Sequence, residues 1–176
     1  MAFIFVFAAL FLYAQDDVVL TNGGIGGIRV CDPLSAVDSV FPAARDTVLS
    51  INEVVDGWPA KIVHLDANQW ILFYGESADM IWRVTTNSPT VETLGGPRVG
   101  MTLGELQDQR ISLDTVRTPM GDHELFASLY ELVVHIQRSD ADIEEQTAIP
   151  TGVANVRLGD RIVAISAGSG CVRVDH

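Results

Sequence analysis

Apolar and polar positions alternate along this chain in short blocks, and the blocks repeat. The segment Gly27-Ile28-Arg29-Val30-Cys31-Asp32-Pro33-Leu34-Ser35-Ala36-Val37 is echoed by Gly96-Pro97-Arg98-Val99-Gly100-Met101-Thr102-Leu103-Gly104-Glu105-Leu106. Each reads glycine, any residue, Arg-Val, a turn, then leucine with an apolar residue three positions on. Similar segments at a fixed offset mark an internal repeat. The spacing predicts two copies of one unit, 15–89 and 90–176, forming one compact domain hinged near Asn87–Gly96.

Within the first copy, Asp32-Pro33 predicts a helix start: the carboxylate can cap free amides, and proline costs nothing at the first helical position. Leu34, Val37 and Phe41 fall at helical spacing, and Pro42 ends the run. In the second copy Thr102-x-x-Glu105 is a capping box, with Leu103 and Leu106 as the apolar face. Strands are predicted at Ile28–Val30, Lys61–Leu65, Trp70–Tyr74 and Ile81–Thr85, with Asp66–Asn68 and Gly75–Ser77 as turns. Asn22–Gly27 satisfies neither glycine-rich phosphate motif and predicts a flexible turn.

The second copy holds one ambiguity. Leu125, Leu129, Leu132, Val133 and Ile136 have helical spacing, whereas the repeat requires two strands, Glu124–Ser128 and Leu132–Gln137. The repeat favours the strands. A closing strand is expected at Gly159–Ile165 and a last one at Cys171–Val174. The expected class is α+β: two tandem units of strand, short helix and antiparallel meander, forming one sheet with helices on one face.

Composition narrows the function. The 176 residues are 48% hydrophobic, enough for one good core. Twenty-three acidic residues oppose eleven basic ones, a formal net charge of −12. No basic run occurs, which argues against nucleic acid, since neutralising phosphates needs clustered Lys and Arg. Residues Ala2–Ala14 form an apolar run too short for a membrane span and similar to the core of a secretory signal peptide, without its usual positive start. Segment 1–14 is therefore expected to be removed on export, leaving a secreted or periplasmic chain without a membrane span. In such a compartment the only cysteines, Cys31 and Cys171, are candidates for one disulfide, with two buried free thiols as the alternative.

Val99-Gly100-Met101-Thr102-Leu103-Gly104-Glu105-Leu106 resembles the V-G-M-T signature that opens each repeat of the β-lactamase-inhibitory-protein fold and of small outer-membrane lipoproteins of the SmpA/OmlA type. The resemblance implies tandem repeats whose exposed sheet face grips a partner protein. The first copy departs from it, with Cys31-Asp32-Pro33 where Gly-Met-Thr stands in the second. No lipid-attachment cysteine follows the apolar run. No binding residue of the family carries over.

Candidate chemistry is sparse. His64-Leu65-Asp66 and Asp122-His123-Glu124 place imidazole near carboxylate, the start of a general-base site. Gly168-Ser169-Gly170 lacks the frame of a nucleophile elbow. On the repeat alignment His64 and His135 sit at matching strand positions, two ligands without a third for a metal. Asp140–Glu145 reads as a solvated acidic loop rather than a calcium loop. No catalytic, metal or cofactor site is therefore assigned. Trp58, Trp70 and Trp82 recur every twelve residues. Trp58 is the one expected at the surface, and Arg83 and Thr85 share the strand face opposite Trp82 and Val84. Trp58, Arg83 and Thr85 are the expected binding residues. The function expected is a non-enzymatic exported module binding another protein through the open sheet face. The alternatives are an enzyme with a His–carboxylate site and a structural envelope component.

Overall fold

The computed structural model describes residues 18–49, 57–75, 80–94, 96–117, 123–127, 130–137 and 157–168. The expected signal segment, the acidic loop Asp140–Glu145 and the strand Cys171–Val174 lie outside them. In chain order the elements are β1 (Val19–Thr21), β2 (Gly24–Ile25), β3 (Ile28–Arg29), α1 (Ala36–Val40), β4 (Arg45–Leu49), β5 (Trp58–His64), β6 (Trp70–Tyr74), β7 (Arg83–Thr86), β8 (Glu92–Thr93), α2 (Leu103–Asp108), β9 (Leu113–Arg117), β10 (His123–Ala127), β11 (Leu132–Gln137) and β12 (Arg161–Ala167).

The strands form two sheets, β3-β2-β1-β8 and β4-β5-β6-β7-β12-β11-β10-β9. This corrects the expected α+β class: the chain is mostly β, and no single sheet carries helices over one face. The helices have five and six residues, about one and a half turns each, too short to cover an eight-stranded sheet. The small sheet closes the core with them. Its Leu20, Ile25 and Ile28 share one core with Ile71, Phe73 and Val84 of the large sheet. Leu34 and Val37, with Leu103 and Leu106 of α2, join the same core. Ile71, Phe73 and Val84 have no exposed surface, and burying side chains of this size contributes about 1.5–3 kcal/mol each.

The small sheet comes from the glycine-rich stretch expected to be a flexible turn. Thr21 pairs with Gly24, and Ile25 with Ile28, so two two-residue hairpins follow each other with a strand between. Gly26 and Gly27 have φ of 58° and 85°, the left-handed pair that a type I′ hairpin requires. β1 then pairs in parallel with β8.

The large sheet is symmetric in order. α1 precedes the meander β4–β7, α2 precedes the meander β9–β12, and the last strands of the two meanders pair antiparallel at the centre. The first strand of each meander lies at an outer edge, and both contain Asp-Thr-Val, at Asp46–Val48 and Asp114–Val116. The ambiguous segment is two strands, with Leu125 opposite Val134 and Val134 opposite Ile165. Pairing with β12, distant in sequence, overrides the local helical spacing.

The first helix starts later than expected. Ser35 is the N-cap residue and makes no side-chain cap bond. The Arg29 amide donates to Asp32 Oδ2 at 2.8 Å, so that carboxylate closes a turn instead. Residues 31 and 32 join the chain at Ile81 through Cys31 N to Ile81 O and Ile81 N to Asp32 O, both 2.8 Å. The capping box of α2 is present: Glu105 N donates to Thr102 Oγ1 at 3.2 Å, and Thr102 N to Glu105 Oε2 at 2.7 Å. The two amides before Glu105 are also satisfied, Leu103 N by Asp160 O and Gly104 N by Leu158 O. No amide at this helix start is left for a ligand.

Candidate functional site

Strand alternation divides the large sheet into two faces. Ile71 and Phe73 point into the core, so Trp70, Leu72 and Tyr74 lie on the outer face. The register extends that face to both sides. On β5 it carries His64, Ile62 and Ala60 opposite Trp70, Leu72 and Tyr74. On β4 it carries Arg45 opposite Ile62, Thr47 opposite Ala60, and Leu49 opposite Trp58. Towards the centre Leu72 meets Thr85 and Tyr74 meets Arg83. Thr85 meets Ser166, which in turn meets Val133, and Ala164 meets His135.

This face has its own apolar cluster. Ala60, Leu72 and Tyr74 are buried, while Leu49, Trp58, Ile62 and Trp70 pack against them half-buried. Trp58 stacks on Tyr74 with ring centroids 6.1 Å apart. Trp82 meets Trp58 edge-on at 5.2 Å. Such aromatic pairs contribute about 0.5–1.5 kcal/mol beyond the area they bury. All three tryptophans of the chain thus belong to the cluster or touch it. Trp82 was expected on the core side; it precedes β7, and its ring turns to Trp58 instead.

The expected binding residues fare differently. Trp58 is half-buried within the cluster. Arg83 is half-buried, opposite Tyr74 and engaged with neighbouring groups. Thr85 lies on the outer face but is only 8% exposed. Its Oγ1 is 2.7 Å from Ser166 Oγ, which is 2.7 Å from His135 Nε2. This hydroxyl–hydroxyl–imidazole chain joins the two halves at their seam. No sequence motif signals it, because its members are 81 and 31 residues apart. Ser166 has no exposed surface, so its hydroxyl is placed to hold the seam rather than to attack a substrate.

The proposed match of His64 with His135 is not met. His64 lies on the second strand of its meander and His135 on the third of its own. Four strand spacings separate β5 from β11, about 19 Å, too far to share a metal ion. No group of three or more potential metal ligands occurs among the described residues. His123 opens β10, while Asp122 and His176 lie outside the described residues. Cys31 is disulfide-bonded and has φ 77°; Cys171 lies outside the described residues.

Charge is unevenly placed. On the β4–β7 half of the outer face no carboxylate occurs among the described positions, whereas at the far edge Asp114 of β9 falls on that face, in line with Phe126 and Val133. Asp46 of β4 lies on the opposite face, where Lys61, the chain's one lysine, donates to its Oδ1 at 2.7 Å. Lys61 Nζ also lies 2.9 Å from Asp38 Oδ1. The bond to Asp46, then that to Asp38, holds the ammonium pKa above its usual value against desolvation.

No helix among the described residues is long and apolar enough to cross a membrane. No family model matches the chain, and no curated protein is similar to it at a significant level. Among solved structures it is similar to that of the uncharacterized protein yfeY from Escherichia coli, with a TM-score of 0.59 and 14% identity over 87% of this chain and 99% of that one. At that identity the likeness is one of fold.

Proposed function

We propose that the protein is an exported binding module, without catalytic turnover, that engages another protein through the outer face of its large sheet. The observation that carries this reading is the half-buried apolar group Leu49, Trp58, Ile62 and Trp70 on the face opposite the core. Contiguous apolar surface rimmed by polar groups marks interaction sites, and tryptophan is favoured at their energetic centres. The breadth of an eight-stranded sheet suits a protein partner. The disulfide at Cys31 supports export, since disulfides persist in oxidising compartments. The V-G-M-T resemblance supports the same mode of action, a sheet face gripping a partner. The test is affinity capture from the native secreted or periplasmic fraction by the wild-type protein and by Arg45→Glu, at an exposed position of the same face. The expected result is loss of one specific captured protein with the melting temperature unchanged. Equal capture of that protein by both forms contradicts the reading.

A further inference from the structure

We infer that the surface this face recognises is acidic and apolar together: carboxylates set among aliphatic or aromatic side chains of a partner protein. The inference rests on the binding-face reading above and adds the chemistry of the partner. Acidic residues outnumber basic ones by 23 to 11 in the chain, yet the β4–β7 half of the outer face, where the apolar cluster lies, reverses that balance. That half carries Arg45, His64 and Arg83 and, among its described positions, no carboxylate; Asp114 of the same face lies at the far edge, on β9. These three side chains are also placed in a pattern. Arg45 stands opposite Ile62, His64 opposite Trp70, and Arg83 opposite Tyr74. Directly opposed residues have Cβ atoms about 4.5–5.5 Å apart. Each arginine or histidine therefore sits beside an apolar or aromatic residue. A surface complementary to that pattern carries anions flanked by apolar groups.

Two other occupants fit less well. A second copy docked on this same half would bring its Arg45 and Arg83 against the same pair, and like charges across an interface disfavour it. A nucleic acid needs a continuous cationic track, and the net charge of −12 opposes its approach.

The test compares two dyes with one aromatic body, 1-anilinonaphthalene-8-sulfonate and the uncharged N-phenyl-1-naphthylamine. The readout is quenching of, and energy transfer from, tryptophan. Trp58, Trp70 and Trp82 are the only tryptophans, so the signal reports this face. The sulfonate dye is expected to bind about tenfold tighter than the neutral one, the gain of one charge-assisted contact. Arg45→Gln, at an exposed position, should remove most of that advantage and leave the neutral dye unaffected. Equal affinity for the two dyes, unchanged by Arg45→Gln, overturns the charge inference while an apolar binding face survives. If neither dye nor acrylamide reaches the tryptophans, the face is closed and both readings fail. A concentration-dependent dimer lost in Ile62→Asp would assign the face to a second copy and overturn the inference.

Discussion

Thr85 and Ser166 oppose each other at the centre of the large sheet, their hydroxyl oxygens 2.7 Å apart. They belong to the last strands of the two meanders, so their contact lies on the seam between the halves. Ser166 is fully buried and Thr85 nearly so. Ser166→Ala leaves the Thr85 hydroxyl without this partner and should cost about 1–3 kcal/mol, the penalty of an unmade buried hydrogen bond. The double variant with Thr85→Ala should cost less than the sum of the two single changes. Urea unfolding of all four proteins checks this, and strict additivity would show that the pair is not coupled.

The end of α2 carries a strained residue. Arg110 has φ 60°, and its amide donates to Gln107 O while the Ile111 amide donates to Leu106 O. That is a Schellman closure, with arginine where glycine is usual. Arg110→Gly should stabilise the protein by about 1 kcal/mol, because a left-handed conformation costs roughly that much for a residue with a Cβ. At the other end Thr102→Ala should destabilise by about 1 kcal/mol. Thermal melts read both changes.

Acid should weaken the same helix. The Thr102 amide, then its hydroxyl, holds the Glu105 carboxyl below its usual value. A lowered folded value stabilises above the unfolded pKa near 4.5, and that contribution is lost as pH falls through the folded value. Lys61 acts in the opposite sense. Its pKa is raised above 10.5, so its contribution is complete below that pH and is lost as pH rises through the folded value. Glu105→Gln should flatten the acid limb of the stability profile, and Lys61→Met the alkaline limb. Profiles parallel to wild type would contradict both assignments.

Cys31 should be linked to Cys171 in the exported protein. Peptide mapping without reductant should return one cross-linked pair. Two freely alkylated thiols would rule the bridge out and remove one support for export.

Local signals were readable from the sequence, and distant ones were not. The capping box at Thr102 and Glu105 is local, and it forms as read. The apolar run Trp70–Tyr74 gives a strand whose two faces join two apolar clusters, Ile71 and Phe73 in the core and Trp70, Leu72 and Tyr74 on the outer face. β4 and β9 escape the hydrophobic pattern because they are the edge strands of the large sheet, with Arg45, Asp46 and Asp114 exposed. Edge strands carry charge as a guard against aggregation, which erases the alternation that would reveal them. Their shared Asp-Thr-Val gains meaning only once the topology places both at edges. The small sheet was hidden for another reason: β2 is two residues long, and the β1–β8 pairing spans some seventy positions. The outer face was half legible. Arg83 and Thr85 follow from alternation, but the Thr85–Ser166–His135 chain needs the register of three strands.

The central claim, that the outer face is the binding surface, is tested most directly by photocrosslinking. A benzophenone amino acid is placed at Ile62, half-buried on that face, and separately at Leu94, 70% exposed beside the small sheet. The modified proteins are irradiated in the native secreted or periplasmic fraction. One discrete adduct from position 62, suppressed by 1-anilinonaphthalene-8-sulfonate and absent from position 94, is the predicted result. No adduct at position 62, or the same adduct from both positions, would contradict the claim.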